Sequence, residues 1–490
     1  MPGHGVSRVL PTAPLETFDD ARHAGGGDAL RAARDLTPEA IVALVGEAGL
    51  RGHGGAGFPV VRKWQSVIAN EPAPGTASVV VNAAEGEPGS FKDRTLLRAD
   101  PYRVLEGALI AARAIQAGEI VLGMRRSMGR DVERVMRAVD DVKAAGWCDG
   151  VEVRVVAGPD AYLVGEETAL LEVIDGRHPF PRLAPPYRRG IDEVTEPGRH
   201  ARPESSSASS LELASSTHET DAPPTLAGNL ETFANLPGIV TNGAAWFREL
   251  GTDDAPGTIV CTVSGATERA AVGEFPYGTP LRAILEELGG SLPDGLLGVL
   301  SGVANPFLAA DRLDTPATYQ ALRDAGGGLG AAGFIVFDDT ADPVAIAAGV
   351  ATFLSVESCG QCTPCKRDGL DLAALLRRDA SSRIDERGLD EINRLLESVA
   401  DSARCNLATQ QQVVIGSLLD QFPDAFAAHV HHGTSAVEPY PIAAIDDIVN
   451  GVVVLEPGQA TKQPDWTHDA VDSGQFPAQR LDDPRNRAEE

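Results

Sequence analysis

Between residues 36 and 49 the apolar positions Ile41, Leu44 and Val45 form one helical stripe among polar neighbours. Thr37 stands where an N-cap belongs, Pro38 at the first helical position and Gly49 where a helix stops, so the pattern predicts a helix. The period then changes. Residues 78–81 are a β-branched apolar run that reads as a buried strand, 101–117 return to a helical period, 120–122 read as a short strand and 130–145 as a helix. Alternation with period two over 151–156 predicts a strand, and 166–174 predict another helix. Strands and helices taking turns predict an α/β layer built on a largely parallel sheet, spanning 36–250.

Residues 188–224 break this rhythm with serine-rich stretches at 204–210 and 215–217, which predict a disordered insertion. A second, smaller mixed α/β unit is expected over 256–338, opening on a strand at 258–263 and a helix at 281–288. Residues 340–432 carry only helical periods. The Gly- and Ala-rich residues 1–35 read as a flexible arm, and the Pro- and Asp-rich residues 438–490 as a mostly disordered tail.

With 490 residues, 43% hydrophobic and 23% charged, the chain has the composition of a soluble protein of several domains. No apolar run reaches the roughly 18 residues of a membrane-spanning helix, and residues 1–27 lack the basic head and apolar run of a secretory signal. The expected location is cytoplasmic, or peripheral to a membrane through partners. A net charge of −28 disfavours nucleic acid and anionic lipid as partners.

Four of the six cysteines fall in one region, which in a cytosolic chain points to metal or redox chemistry rather than a disulfide framework. Cys359, Cys362 and Cys365 have the C-x-x-C-x-x-C spacing that lets three thiolates each bind a different iron of one cubic cluster. Cys405 is the downstream candidate for the fourth ligand. Structural zinc also takes four cysteines, but its sites pair two separate knuckles. Cys148 and Cys261 stand alone and read as small core residues, and His429, His431 and His432 as a surface run.

The loop of residues 49–59 is dense in glycine, with Gly52, Gly54, Gly55 and Gly57, and Lys63 follows it. Glycines let backbone N–H groups approach an anion closely, as phosphate cradles require, although such loops are also common turns. Residues 82–94, with Asn82, Glu85 and Glu87, leave the end of a predicted strand, and Gly165, Glu166 and Glu167 open a helix after another. Single carboxylates there serve as dipole partners; several such loops at the strand ends of one sheet make a shared pocket.

Taken together, Gly-Leu-Arg-Gly-x-Gly-Gly-Ala-Gly-Phe-Pro at 49–59, Asn-Ala-x-Glu-Gly-Glu-Pro-Gly at 82–89, Phe91-Lys92-Asp93-Arg94, Gly165-Glu166-Glu167-Thr168-Ala169-Leu170, Pro181-Arg182-Leu183-x-Pro185-Pro186, Asn229-x-Glu231-Thr232 and Glu357-Ser358-Cys359-Gly360-x-Cys362-x-Pro364-Cys365 resemble the NADH-binding flavoprotein subunit of respiratory complex I. The same family supplies the diaphorase subunits of NAD-linked hydrogenases and formate dehydrogenases. The resemblance runs in order over about residues 36–430.

It implies a Rossmann-like FMN/NADH domain, a small β-grasp domain and a C-terminal helical bundle carrying a 4Fe-4S cluster. Gly52, Gly54, Gly55, Gly57 and Lys63 would cradle the FMN phosphate. Asn82, Glu85, Gly165, Glu166, Asn229 and Thr232 would hold the isoalloxazine and ribityl groups. Phe58, Glu87, Glu167 and Tyr187 would contact NAD(H), with Glu87 and Glu167 as the catalytic acids. Cys359, Cys362, Cys365 and Cys405 would ligate the cluster. The implied activity is NADH dehydrogenation, with electrons passing to a thioredoxin-like ferredoxin subunit within a larger complex.

The chain departs from the family at His53, Ala84, Ala184 and Gly228, where the usual residues are arginine, an acid, lysine and asparagine. The last three departures remove groups that would hold flavin or nucleotide. They imply weaker NADH binding, or the alternative of an electron-transfer or assembly module that keeps the cluster without oxidising NADH.

Overall fold

Val79, Val80 and Val81 are fully buried because their strand, β1 (Ser78–Asn82), is central in a sheet covered on both faces. The computed structural model describes residues 5–71, 73–183, 185–188, 223–377, 386–432 and 438–464. With β2 (Glu119–Arg125), β3 (Glu152–Gly158) and β4 (Thr225–Asn229), β1 makes a four-stranded, all-parallel sheet in the order β3-β2-β1-β4. Val79 and Val81 enter one core, and Val80 enters a second on the opposite face.

The first core is built with α1 (Phe18–His23), α2 (Asp28–Arg34), α3 (Pro38–Ala48), α4 (Val60–Asn70), α5 (Lys92–Ala99), α6 (Pro101–Ala114) and α7 (Gly129–Ala144). The second uses α8 (Glu167–Ile174), whose Leu170 and Leu171 cover Val80 and Val121. A helical segment, α9 (Leu230–Phe247), follows β4, kinks at Gly243 (φ +87°) and packs on α6 and α3. Its interior Pro237 hides it from a helical reading of the sequence. Thr37 caps α3, its Oγ1 accepting from Ala40 N at 3.2 Å, and Gly49 ends it at φ +73°.

The flexible arm expected over 1–35 is not what forms from residue 5 onward. Thr17 and Asp20 make a reciprocal capping box, and Ala21, Ala29, Leu30 and Ala33 enter the first core. Leu30 N also donates to Glu106 Oε1 at 2.8 Å. Alanines and glycines dock here because small side chains let helices approach closely, a contact that composition alone disguises.

A five-stranded mixed sheet follows in the order β6-β5-β9-β7-β8, from β5 (Thr258–Gly265), β6 (Ala271–Pro276), β7 (Leu296–Ser301), β8 (Leu308–Ala309) and β9 (Gly333–Asp338). Helices α10 (Leu281–Gly289) and α11 (Tyr319–Asp324) pack on it. It abuts the loop after β1: Phe91 N donates to Thr262 Oγ1 at 2.9 Å, and a Cβ on Gly89 would lie 2.6 Å from Ile335.

The next region is helical: α12 (Pro343–Val356), α13 (Thr363–Leu376), α14 (Glu386–Ser398), α15 (Leu407–Gln421) and α16 (Pro423–His432). Apolar nearly all round, α12 is buried at the centre of this group. Beyond it the expected disordered tail is instead ordered over 438–464, as a hairpin of β10 (Ile445–Val449) and β11 (Val452–Leu455). Buried Ile442, Ala443, Ala444 and Ile445 anchor it. The insertion expected over 188–224 lies, from 189 to 222, outside the described residues, as do Ala184 and residues 465–490. Among the described residues no helix is long and apolar enough to cross a membrane.

Candidate functional site

The glycine loop folds back on itself, Gly52 N donating to Phe58 O at 2.8 Å and Val60 N to Leu50 O at 3.0 Å. This hands the chain to α4, whose N-terminus no side chain caps. Gly57 turns at φ +61°, and Tyr319 Oη donates to Gly52 O at 3.1 Å. Gly54 and Gly57 flank this turn beside the start of α4. A helix start without a side-chain cap attracts an anion.

Those groups border an open cleft lined by Gly52, Gly54, Gly57, Phe58, Lys63, Glu167, Asn229 and Thr232 of the predicted set. Trp64, Leu226, Phe233 and Leu236 add an apolar wall. The mixture of a few polar groups and an apolar wall suits a small-molecule site. Lys63 Nζ pairs with the Glu167 carboxylate and reaches Ala227 O at 3.3 Å. Gly228 lines the cavity too, and a Cβ there would come within 3.1 Å of the Phe233 ring. Gly55 lies outside the lining, in a bridge with Gly330.

The remaining predicted residues do not line the cavity. Asn82 pairs in register with Asn229, and its Nδ2 donates to Gly165 O at 2.7 Å, tying two strand-end loops together. Glu85 accepts from Ser90 Oγ, Asp93 N and Arg94 N, and Glu166 from Thr168 N and Ala169 N. Both carboxylates satisfy helix starts, and burial raises the pKa of Glu166. Tyr187 packs on the first core. Glu87 is held by Tyr162 Oη at 2.6 Å and Val303 N at 2.7 Å, with its pKa raised by burial.

Under the cavity floor lies a buried ionic network. Lys92 Nζ reaches Asp93 at 2.7 Å, Glu231 at 2.9 Å and Asn229 Oδ1 at 3.0 Å, while Asn229 Nδ2 donates to Asp93 at 2.7 Å. Burial disfavours the ammonium, but Asp93, Glu231 and Glu85 outweigh it and hold Lys92 charged. Asn229, at the cavity edge, is thereby fixed in one orientation. His53 N donates to Thr232 Oγ1 at 3.0 Å, and its ring is buried with Nε2 at 3.1 Å from Thr258 O. Burial lowers its pKa, against the pull of nearby Glu231.

Cys359, Cys362, Cys365 and Cys405 share the lining of a second cavity, walled by Leu163, Pro181, Leu407 and Ala408. Cys362 stands at the start of α13, and Cys405 returns just before α15, so a helix pair brings the fourth thiol back. Arg404 N donates to Cys362 Sγ at 3.4 Å and Gln361 Nε2 to Cys359 Sγ at 3.6 Å. Burial raises the Cys365 and Cys405 thiol pKa values. Among the described residues no three His, Cys, Asp or Glu side chains converge closely enough for a single metal ion. Four thiols spread around a cavity suit a cluster, whose iron supplies the positive charge that thiolates need there. Lone Cys261 is buried in β5, and His429 pairs with Asp342 at 2.7 Å.

One short segment joins the two cavities. Leu163 lines the cysteine cavity and Glu167 the glycine-loop cavity, and four residues span at most about 14 Å. Tyr162, in the same turn, bonds Glu87 and Gln410 and so links the loop after β1 to α15. Sequence reasoning passed over it, although it lies three residues before the glycine of a motif that reasoning had singled out.

Two family models match the chain: the Nuo51 FMN-binding domain over residues 45–210, and the NADH-ubiquinone oxidoreductase-F iron-sulfur binding region over 345–429. The second NADH-quinone oxidoreductase-F protein of Rhizobium meliloti is 34% identical over 432 residues, covering 85% of this chain and 94% of that protein. The NADP-reducing hydrogenase subunit HndC of Solidesulfovibrio fructosivorans is 31% identical over 428 residues, covering 85% and 81%. A chain of the NAD+-reducing [NiFe]-hydrogenase crystal structure in the H2-reduced state superposes with a TM-score of 0.72 at 29% identity, covering 87% of this chain and 67% of that one. Motif order, cavity chemistry and whole-chain similarity agree: the chain belongs to the NADH-quinone oxidoreductase-F family.

Proposed function

We propose that this chain is the NADH-oxidising subunit of a larger electron-transfer complex, binding FMN in the glycine-loop cavity and a 4Fe-4S cluster among Cys359, Cys362, Cys365 and Cys405. In this reading the four-stranded sheet and its helices form a Rossmann-like FMN/NADH domain, the five-stranded sheet a β-grasp domain, and α12–α16 the cluster-bearing bundle. The observation that carries the reading is the segment 163–167, which borders both cavities within four residues.

Bound together, FMN and the cluster supply two-electron hydride acceptance and one-electron delivery. The chain's own part is to bind and orient. The amides of Gly54 and Gly57, the start of α4 and Lys63 favour a phosphate dianion. Asn229, locked by Lys92 and Asp93, presents a fixed edge to the ring system. Trp64, Phe233 and Leu236 exclude water from that side. Phe58, partly exposed at the cavity mouth, and Glu167 are suited to meet the nicotinamide nucleotide. Glu87, held by Tyr162 Oη and Val303 N, ties the loop after β1 to the turn that carries Leu163.

Phe233 crowds the space a Gly228 side chain would need, so that departure leaves the wall packed rather than open. Electrons leave to a separate thioredoxin-like ferredoxin subunit. An NADH–ferricyanide assay of the FMN- and cluster-loaded protein tests the activity: turnover dependent on added FMN is expected, and none under saturating NADH would remove the dehydrogenase assignment.

A further inference from the structure

The segment 438–464 touches each part of the molecule. Tyr440 N donates to Ala345 O at 2.9 Å in α12, and Ala270 N, just before β6, donates to Gly451 O at 2.7 Å. Asp447 binds Arg98 at 2.7 Å and Arg130 at 2.6 Å, and Glu456 binds the buried Arg125 at 2.8 Å. These anchors lie on α5, α7 and β2, all on the flavin side. From them the chain runs on through a 3-10 turn (Gln459–Thr461) and places Lys462 against the cysteine site.

There Lys462 Nζ reaches Glu357 Oε1 at 2.5 Å and Asp160 O at 2.9 Å. Glu357 is almost wholly buried, its second oxygen accepting from Tyr162 N at 2.8 Å. It precedes Cys359 by two residues, and Lys462, Glu357 and Cys359 border one open groove. Lys462 is thus a cation delivered from the flavin-side strap to a buried carboxylate beside the cysteines.

We propose that Lys462 is a positioning residue for the electron-transfer reaction: by balancing Glu357, it keeps the reduction potential of the cluster high enough to accept electrons from the flavin. The inference rests on the cluster reading above. Reducing a cluster adds negative charge, so an unbalanced carboxylate nearby disfavours reduction and an unbalanced ammonium favours it. Burial makes the pair felt, since little solvent screens Glu357.

The test is a redox titration of the intact, FMN- and cluster-loaded protein, following the cluster by electron paramagnetic resonance. Lys462→Met and the milder Lys462→Gln shift the midpoint downward, Glu357→Gln shifts it upward, and Lys462→Met combined with Glu357→Gln returns it near the wild-type value. Lys462→Arg leaves it in place. Opposite shifts that cancel are not the signature of a loosened fold. An unmoved midpoint in Lys462→Met, or shifts of one sign in both single variants, overturns the proposal. A wild-type protein without any iron–sulfur signal would instead defeat the cluster assignment itself.

Discussion

Tyr319 closes on Gly57: a Cβ at that position would lie 2.5 Å from the tyrosine ring, and Gly57 holds φ +61°. Gly57→Ala therefore meets both a left-handed backbone penalty of ~1–2 kcal/mol and an overpacking cost of ~1–3 kcal/mol. Thermal unfolding should shift down accordingly, and FMN retention should fall with it, because the same turn aims the loop amides. An unchanged melting temperature would mean that the loop adopts another course.

Lys63 sits a third exposed, paired with Glu167, so the pair itself adds little stability. Its removal should be felt by the ligand. Lys63→Ala is expected to weaken FMN binding by roughly 10- to 150-fold, the worth of one charge-assisted hydrogen bond, while the melting temperature of the flavin-free protein hardly moves. Flavin fluorescence titration reads the first quantity and calorimetry the second.

Cys405 shares its cavity with three other cysteines, whereas Cys148 packs at the edge of the first core. Cys405→Ala should lose most of the bound iron and the broad visible absorption, and Cys148→Ala should keep both. Iron and sulfide analysis of anaerobically purified variants checks this, and zinc in the wild-type protein would contradict it.

The parts of the fold with clean periods were legible: α3 between Thr37 and Gly49, and the apolar run that became β1. The N-terminal helices were not, since Ala21, Ala29 and Ala33 dock by being small rather than by forming an apolar stripe. The hairpin at 445–455 was hidden for a different reason. Arg94, Arg98, Arg125 and Arg130 bind it through long-range ion pairs and a backbone contact that no local pattern announces.

Of the residues singled out by motif, Gly52, Gly54, Gly57 and Lys63 line one cavity and the four cysteines another. The motifs could not tell which acids face a ligand. Glu85 and Glu166 turn out to be occupied by backbone amides of their own helices, and Glu167, one residue later, lines the cavity. Neighbours along the chain take opposite roles because a helix start turns successive side chains in different directions.

His53 gives the fold a pH dependence of known sign. Its ring is buried and its pKa lies below the ordinary 6.5, so the folded protein binds fewer protons there than the unfolded chain. The stabilisation is fully present above pH 6.5 and is lost as pH falls toward the folded-state pKa, by up to about 1.4 kcal/mol per pH unit. Urea unfolding on either side of pH 6.5 should show this slope, and His53→Gln should flatten it. A variant as steep as the wild type would place the titrating group elsewhere.

NADH is expected to feed electrons into the glycine-loop cavity and on to the four cysteines. Anaerobic titration of the FMN- and cluster-loaded protein with NADH, followed by visible absorption, tests it directly. NADH at millimolar concentration, the upper end of ordinary KM values, should bleach the flavin band and then the broad cluster absorption, even with Ala84, Ala184 and Gly228 in place. Bleaching by dithionite but not by NADH would contradict the account and leave an electron-transfer module that takes its electrons from another donor.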